Sequence, residues 1–178
     1  MKGVLFNVVE DVVTEAFSAD VWDDVVEHAG VSGAYTSLGN YPDEELGSVV
    51  EATASAAGQT VPDALRLAGH LGFAHLVRRA PDLLDGLDGW RAVLTALDDI
   101  IHPEVRKIYP DADVPGFATE PDGSGLLVTY TSRRALCALA EGLMTGAGKW
   151  FDTDLHVIHL SCVHSGDENC VMRVSEAV

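Results

Sequence analysis

The chain has 178 residues, enough for one ordinary domain, and its 28 acidic side chains outnumber 11 Lys and Arg for a net charge of −17. That excess argues against nucleic acid or an anionic membrane surface as the main partner, because both recruit positive side chains. A hydrophobic fraction of 47% supports a packed core rather than disorder, and no apolar run approaches the roughly 18 residues that a membrane span requires.

Val4, Leu5, Val8, Val9, Val12 and Val13 recur every three to four residues and predict a first helix. Ser18 suits an N-cap for a second helix that ends near Gly30. A third follows Tyr41-Pro42, with Asp43, Glu44 and Glu45 suited to a first turn. A fourth runs over about 62–79 and closes on two arginines. The stretch 81–89, rich in Asp, Gly and Pro, reads as a loop. A fifth helix covers about 88–109. It should kink or break at His102, because Pro103 biases the residue before it away from the α region.

Beyond Pro110 the pattern changes. Residues 125–132 and 154–163 read as strands, 134–146 returns to helical spacing, and 170–174 completes a hairpin after the turn 164–169. Helices first, then a small antiparallel sheet with a packed helix, place the chain in the α+β class. It is one domain, with a helical part over about 1–110 and a sheet-rich part over about 111–178.

Three groups of residues carry chemistry. Tyr130, Ser132 and Arg134, if all in one strand, aim a phenol, a hydroxyl and a guanidinium in one direction. Such donors suit a carboxylate or phosphate, and a solvated outer face is the plain alternative. His102, beside Ile100 and Ile101, can present an imidazole nitrogen into an apolar pocket as an axial metal ligand does; a half-buried helix histidine is the plain alternative. Cys137, His159, Cys162 and Cys170 use every cysteine of the chain and match a closed Cys3His zinc site. Strand parity puts His159 and Cys162 on opposite sides, so this site needs a bulge or strand end near Ser161. Unligated buried cysteines remain the alternative, and His156 and His164 are competing imidazoles. Three cysteines do not make a disulfide framework, and the amino-terminal stretch has no signal cleavage site. The expected compartment is therefore the reducing cytoplasm. A hydrolase using Ser132 or His102 lacks support, because no G-x-S-x-G elbow is present. Neither a Walker loop nor G-x-G-x-x-G occurs.

The opening Met1-Lys2-Gly3-Val4-Leu5-Phe6-Asn7, the His102-Pro103 pair and Tyr130-x-Ser132-x-Arg134, 28 residues after His102, together resemble the H-NOX family, haem domains that bind nitric oxide or oxygen. The resemblance covers essentially the whole chain. It implies haem b held between the two parts, with His102 as the proximal ligand of its iron. Tyr130, Ser132 and Arg134 would hold the propionates. Pro115 would pack on and distort the haem, and Leu5 would lie near the porphyrin. Oxygen-binding members carry a tyrosine nine residues after the triplet's tyrosine. Here that position is Leu139, followed one turn later by Leu143. An apolar distal lining implies a nitric oxide sensor that discriminates against O2, with His70 and His75 left as packing or surface residues. Some bacterial members bind zinc through three cysteines and a histidine, which favours zinc at Cys137, His159, Cys162 and Cys170. The implied protein is not an enzyme. Nitric oxide would release His102, the helix carrying it would move, and a separate effector such as a histidine kinase or a cyclic-di-GMP enzyme would take the signal. The alternative is a zinc-stabilised regulatory module that binds another small anion without haem.

Overall fold

The computed structural model describes residues 1–177. Helix α1 (Gly3–Ala16) buries Val4, Phe6, Val8, Val9, Val12 and Val13, so it is apolar over more than one stripe and lies inside the helical part. Helix α2 (Ala19–Ala29) starts where the Ser18 hydroxyl accepts from the Val21 N–H and stops at Gly30 in the left-handed region. Helix α3 (Asp43–Ala57) has its three acidic residues in the first turn, and α4 (Val61–Arg79) is capped by Thr60. Phe6, Trp22, Val25, Tyr35, Val49 and Leu65 from this region form one core.

The predicted fifth helix is three pieces: α5 (Trp90–Thr95), a π-helical turn (Leu97–Ile101) and α6 (His102–Ile108). The break falls at His102 as expected, but its mechanism differs from the expected one. His102 itself is α-helical, with φ −65° and ψ −37°. Pro103 contributes no N–H, and the ladder resets just before it: Ile101 N–H reaches five residues back to the Ala96 carbonyl at 2.9 Å. The predicted loop over 81–89 contains a short 3-10 turn (Pro81–Leu84).

The sheet is antiparallel, in the order β1-β2-β4-β3, from β1 (Gly116–Asp122), β2 (Gly125–Thr131), β3 (Leu155–Ser161) and β4 (Cys170–Glu176). Strand β1 escaped the sequence pattern. It carries Pro121 and lies at an edge, where a missing donor is tolerated. Helix α7 (Cys137–Trp150) begins three residues later than expected. Its Ala140 and Met144 share a core with Val128, Met172 and Val174 of the sheet, and its other side lies against α4. There the approach is backbone to backbone. A Cβ on Gly142 would fall 2.2 Å from the Arg66 carbonyl oxygen, a distance that main-chain atoms cannot relieve by a rotamer change.

Gly142→Ala should therefore force α4 and α7 apart and destabilise the protein by about 1–3 kcal/mol, the usual cost of overpacking. A lowered denaturant midpoint at unchanged slope is the expected reading; an unshifted midpoint would contradict the close approach.

Candidate cofactor site and metal centre

His102 sits at the junction of the π turn and α6, with its side chain only 12% exposed. Its Nδ1 lies 3.3 Å from Asp98 Oδ1, one helical turn earlier. Burial holds the imidazole below its usual pKa, with Asp98 pulling the other way. The ring is thus biased toward the neutral form that a metal ligand needs. The Pro115 backbone also favours the charged ring, more weakly than Asp98. Phe117 stands 5.7 Å from His102 and 5.4 Å from Tyr130, centroid to centroid. His102 and Tyr130 are therefore gathered around one aromatic ring.

The triplet does not run along a single strand. β2 ends at Thr131, and residues 132–135 form a turn in which the Arg134 N–H donates to Ser132 Oγ at 3.2 Å and Ala135 has φ 51°. The period-two argument fails beyond Tyr130 because the strand stops there. Tyr130 still meets Ser132 through its phenol, whose pKa burial raises while hydrogen bonding to the Ser132 side chain lowers it. Arg134 turns toward α3. Its Nε donates to Asp43 Oδ2 at 2.6 Å, and its Nη1 donates to the Asp113 carbonyl at 2.7 Å and to Asp113 Oδ2 at 3.1 Å. Arg133 reaches the same Asp113 carboxylate at 2.7 Å.

A cavity of about 470 Å³ opens beside this pair, lined by Leu46, Val50, Leu65 and Leu136 and rimmed by Arg133, Arg134, Asp43 and Asp113. Its lining joins apolar side chains to two guanidinium groups and to the carboxylates of Asp43, Glu51 and Asp113. His102, Leu5, Leu139 and Leu143 do not line it. Leu5 is half-buried on α1. Leu139 packs on the core of the helical part, and the backbone of Leu139 and Leu143 faces Gly69 of α4. His70 is engaged with Thr145 at 2.9 Å, and His75 with Glu15 at 2.8 Å and Asp11 at 3.3 Å, so each already has a protein partner.

The four predicted zinc ligands converge. One donor atom each from Cys137, His159, Cys162 and Cys170 lies within 4.8 Å of the others. Cys162 Sγ is 3.6 Å from both Cys137 Sγ and Cys170 Sγ. A tetrahedral ion with Zn–S bonds near 2.3 Å sets its sulfurs about 3.8 Å apart, so this donor set fits zinc with little adjustment. The required irregularity is present: register shifts between His159, opposite Met172, and Ser161, opposite Val171. His156 is exposed, and His164 bonds the Ala135 carbonyl at 2.8 Å, so neither competes. Burial pushes the Cys137 thiol up to about 12 and raises Cys170. For Cys162 the desolvation cost is outweighed by hydrogen bonds from the backbone of His164 and from the neighbouring thiols, and its pKa falls.

Several participants were not read from sequence. Asp98 was detectable, four residues before His102 on a helix. Phe117, Asp43, Asp113 and Glu141 meet the site only through tertiary folding.

A haem-NO-binding family model matches residues 2–159. The fold is similar to that of an H-NOX protein from S. oneidensis in the Fe(II)NO state, with 30% identity, complete coverage of both chains and a TM-score of 0.92. It is also similar to the Fe(II)CO form of an H-NOX domain from Shewanella oneidensis, with 30% identity, 99% of each chain and a TM-score of 0.89. A third similar structure is the unliganded Fe(II) H-NOX protein from K. algicida, with 26% identity, 100% of this chain, 97% of that one and a TM-score of 0.86. No curated protein matches the chain significantly. Among the described residues no helix is long and apolar enough to cross a membrane.

Proposed function

The chain belongs to the haem-NO-binding family, and on that premise we propose that it is a haem-based nitric oxide sensor that signals to a separate effector, of the histidine kinase or cyclic-di-GMP class. One observation carries the reading: a largely buried imidazole, His102, stands where a π turn meets α6, against Phe117, whose other neighbour is Tyr130.

When bound, ferrous haem supplies the metal that takes up the gas. The chain's own residues do the rest. His102 would offer a neutral imidazole to the iron, oriented by Asp98. Tyr130, Ser132 and Arg134 offer the donors for the carboxylates of the group, with Arg134 exchanging part of its pairing to Asp43 and Asp113. Pro115, Leu5, Leu139 and Leu143 would supply apolar contacts to the bound group. The segment from Leu97 to Ile108, which carries His102, would be the element whose position reports the state of the site to the effector. Zinc held by Cys137, His159, Cys162 and Cys170 would staple the start of α7 to the β3–β4 hairpin.

The test is an absorbance spectrum of the reduced protein before and after nitric oxide. A Soret band that shifts on addition of the gas supports the reading, and a colourless protein prepared with ample haem overturns it in favour of a haem-free module. His102→Ala should lose the band and regain it with free imidazole; full retention without imidazole would remove His102 from its role. In air the reduced protein should form no lasting oxygen complex, because Leu139 and Leu143 give bound O2 no hydrogen-bond donor. An oxy spectrum persisting for hours would contradict the apolar lining. Metal analysis should find roughly one zinc per chain, the stoichiometry of one closed four-ligand site, and much less in Cys162→Ser.

A further inference from the structure

A histidine that binds a metal through one ring nitrogen needs a partner for the other, and that partner decides which nitrogen faces the ion. His159 has such a partner. Its Nε2 lies 3.1 Å from Glu141 Oε2, and the Glu141 side chain is only 16% exposed. Glu141 is placed by the helix that supplies a ligand: it follows Cys137 by four residues on α7, so both project from one face. Its carboxylate is also held from the other side. Arg66 Nε on α4 donates to the same Oε2 at 2.8 Å, while Arg66 Nη1 donates to Asp63 Oδ1 at 2.9 Å. Asp63 in turn accepts from the Thr60 hydroxyl at 2.6 Å. The backbone contact between Gly142 and Arg66 keeps this turn of α7 against α4.

We infer that Glu141 is the positioning residue of the metal centre: it accepts the Nε2–H of His159, leaves Nδ1 as the fourth donor beside the three sulfurs, and is itself fixed by Arg66. The inference rests on the zinc reading above and adds to it a carboxylate, a tautomer and a tie to the helical part. The charge balance is favourable, because Arg66 offsets the carboxylate that would otherwise be buried beside three thiolates.

The experiment uses the full chain loaded with zinc. Long-range proton–nitrogen NMR of the labelled wild type should show His159 protonated at Nε2 and metal-bound through Nδ1. Competition with a chromogenic chelator should show Glu141→Ala weakening zinc affinity by about 10–100-fold, the usual cost of removing a ligand's orienting partner. Glu141→Gln keeps a carbonyl acceptor and should fall between the two, with an unchanged Soret band reporting an intact fold. A proton on Nδ1 of His159 in the wild type, or wild-type affinity in Glu141→Ala, overturns the positioning role. A wild type that holds no zinc overturns the zinc reading and this one together. Zinc lost in Cys162→Ser but kept in Glu141→Ala overturns this one alone.

Discussion

Contact between α4 and α7 at backbone distance is the constraint on which the two parts of the molecule depend. A Cβ on Gly69 would fall 2.4 Å from the Leu139 carbonyl oxygen, and one on Gly146 would fall 2.5 Å from the His70 carbonyl oxygen. Glycine at these helical positions costs about 1 kcal/mol each in helix propensity. That cost is offset by the close packing it permits and by the polar contacts along the seam: Arg66 with Glu141, and His70 with Thr145, whose hydroxyl also donates to the Gly142 carbonyl. With α4 belonging to the helical core and α7 resting on the sheet, this seam sets where Leu139 and Leu143 stand relative to α1.

The segment carrying His102 is built in the opposite way. Its pieces are short, its ladder is interrupted by a π turn, and α6 buries no residue fully. Ile100 and Ile108 are both largely exposed. A helix with so little packing is a low-stability element, able to shift at modest cost. The α4–α7 seam and the segment carrying His102 thus differ in how tightly they are held.

The sequence made the main architecture legible because it is written in local signals. Helices α1 to α4 follow from apolar spacing, the Ser18 cap and the arginines that close α4, and the hairpin of β3 and β4 follows from alternation around a polar turn. The bulge near Ser161 was legible too, as a geometric debt of the Cys3His set that the fold repays. What escaped depends on partners distant in the chain. Strand β1 has no clear alternation and exists by pairing with β2. Arg134 was read as waiting for an outside anion, yet Asp43 and Asp113, 91 and 21 residues away, supply carboxylates from within. In a chain of net charge −17, an arginine near an opening finds a protein carboxylate readily, so pairing at such a site does not argue against ligand binding.

The cofactor patch and the metal centre meet across two adjacent strands. Tyr130 on β2 stands opposite Cys170 on β4 in the sheet register, and both side chains are buried in the same core as Cys137. Residues directly opposite in an antiparallel pair lie within about 5.5 Å at their Cβ atoms, so neither can move without the other feeling it. Four sulfur and nitrogen donors bound to one ion would fix Cys170, and through it the strand that ends in the turn of Ser132 and Arg134. An ion held by Cys137, His159, Cys162 and Cys170 would tie α7, β3 and β4 together beside that turn.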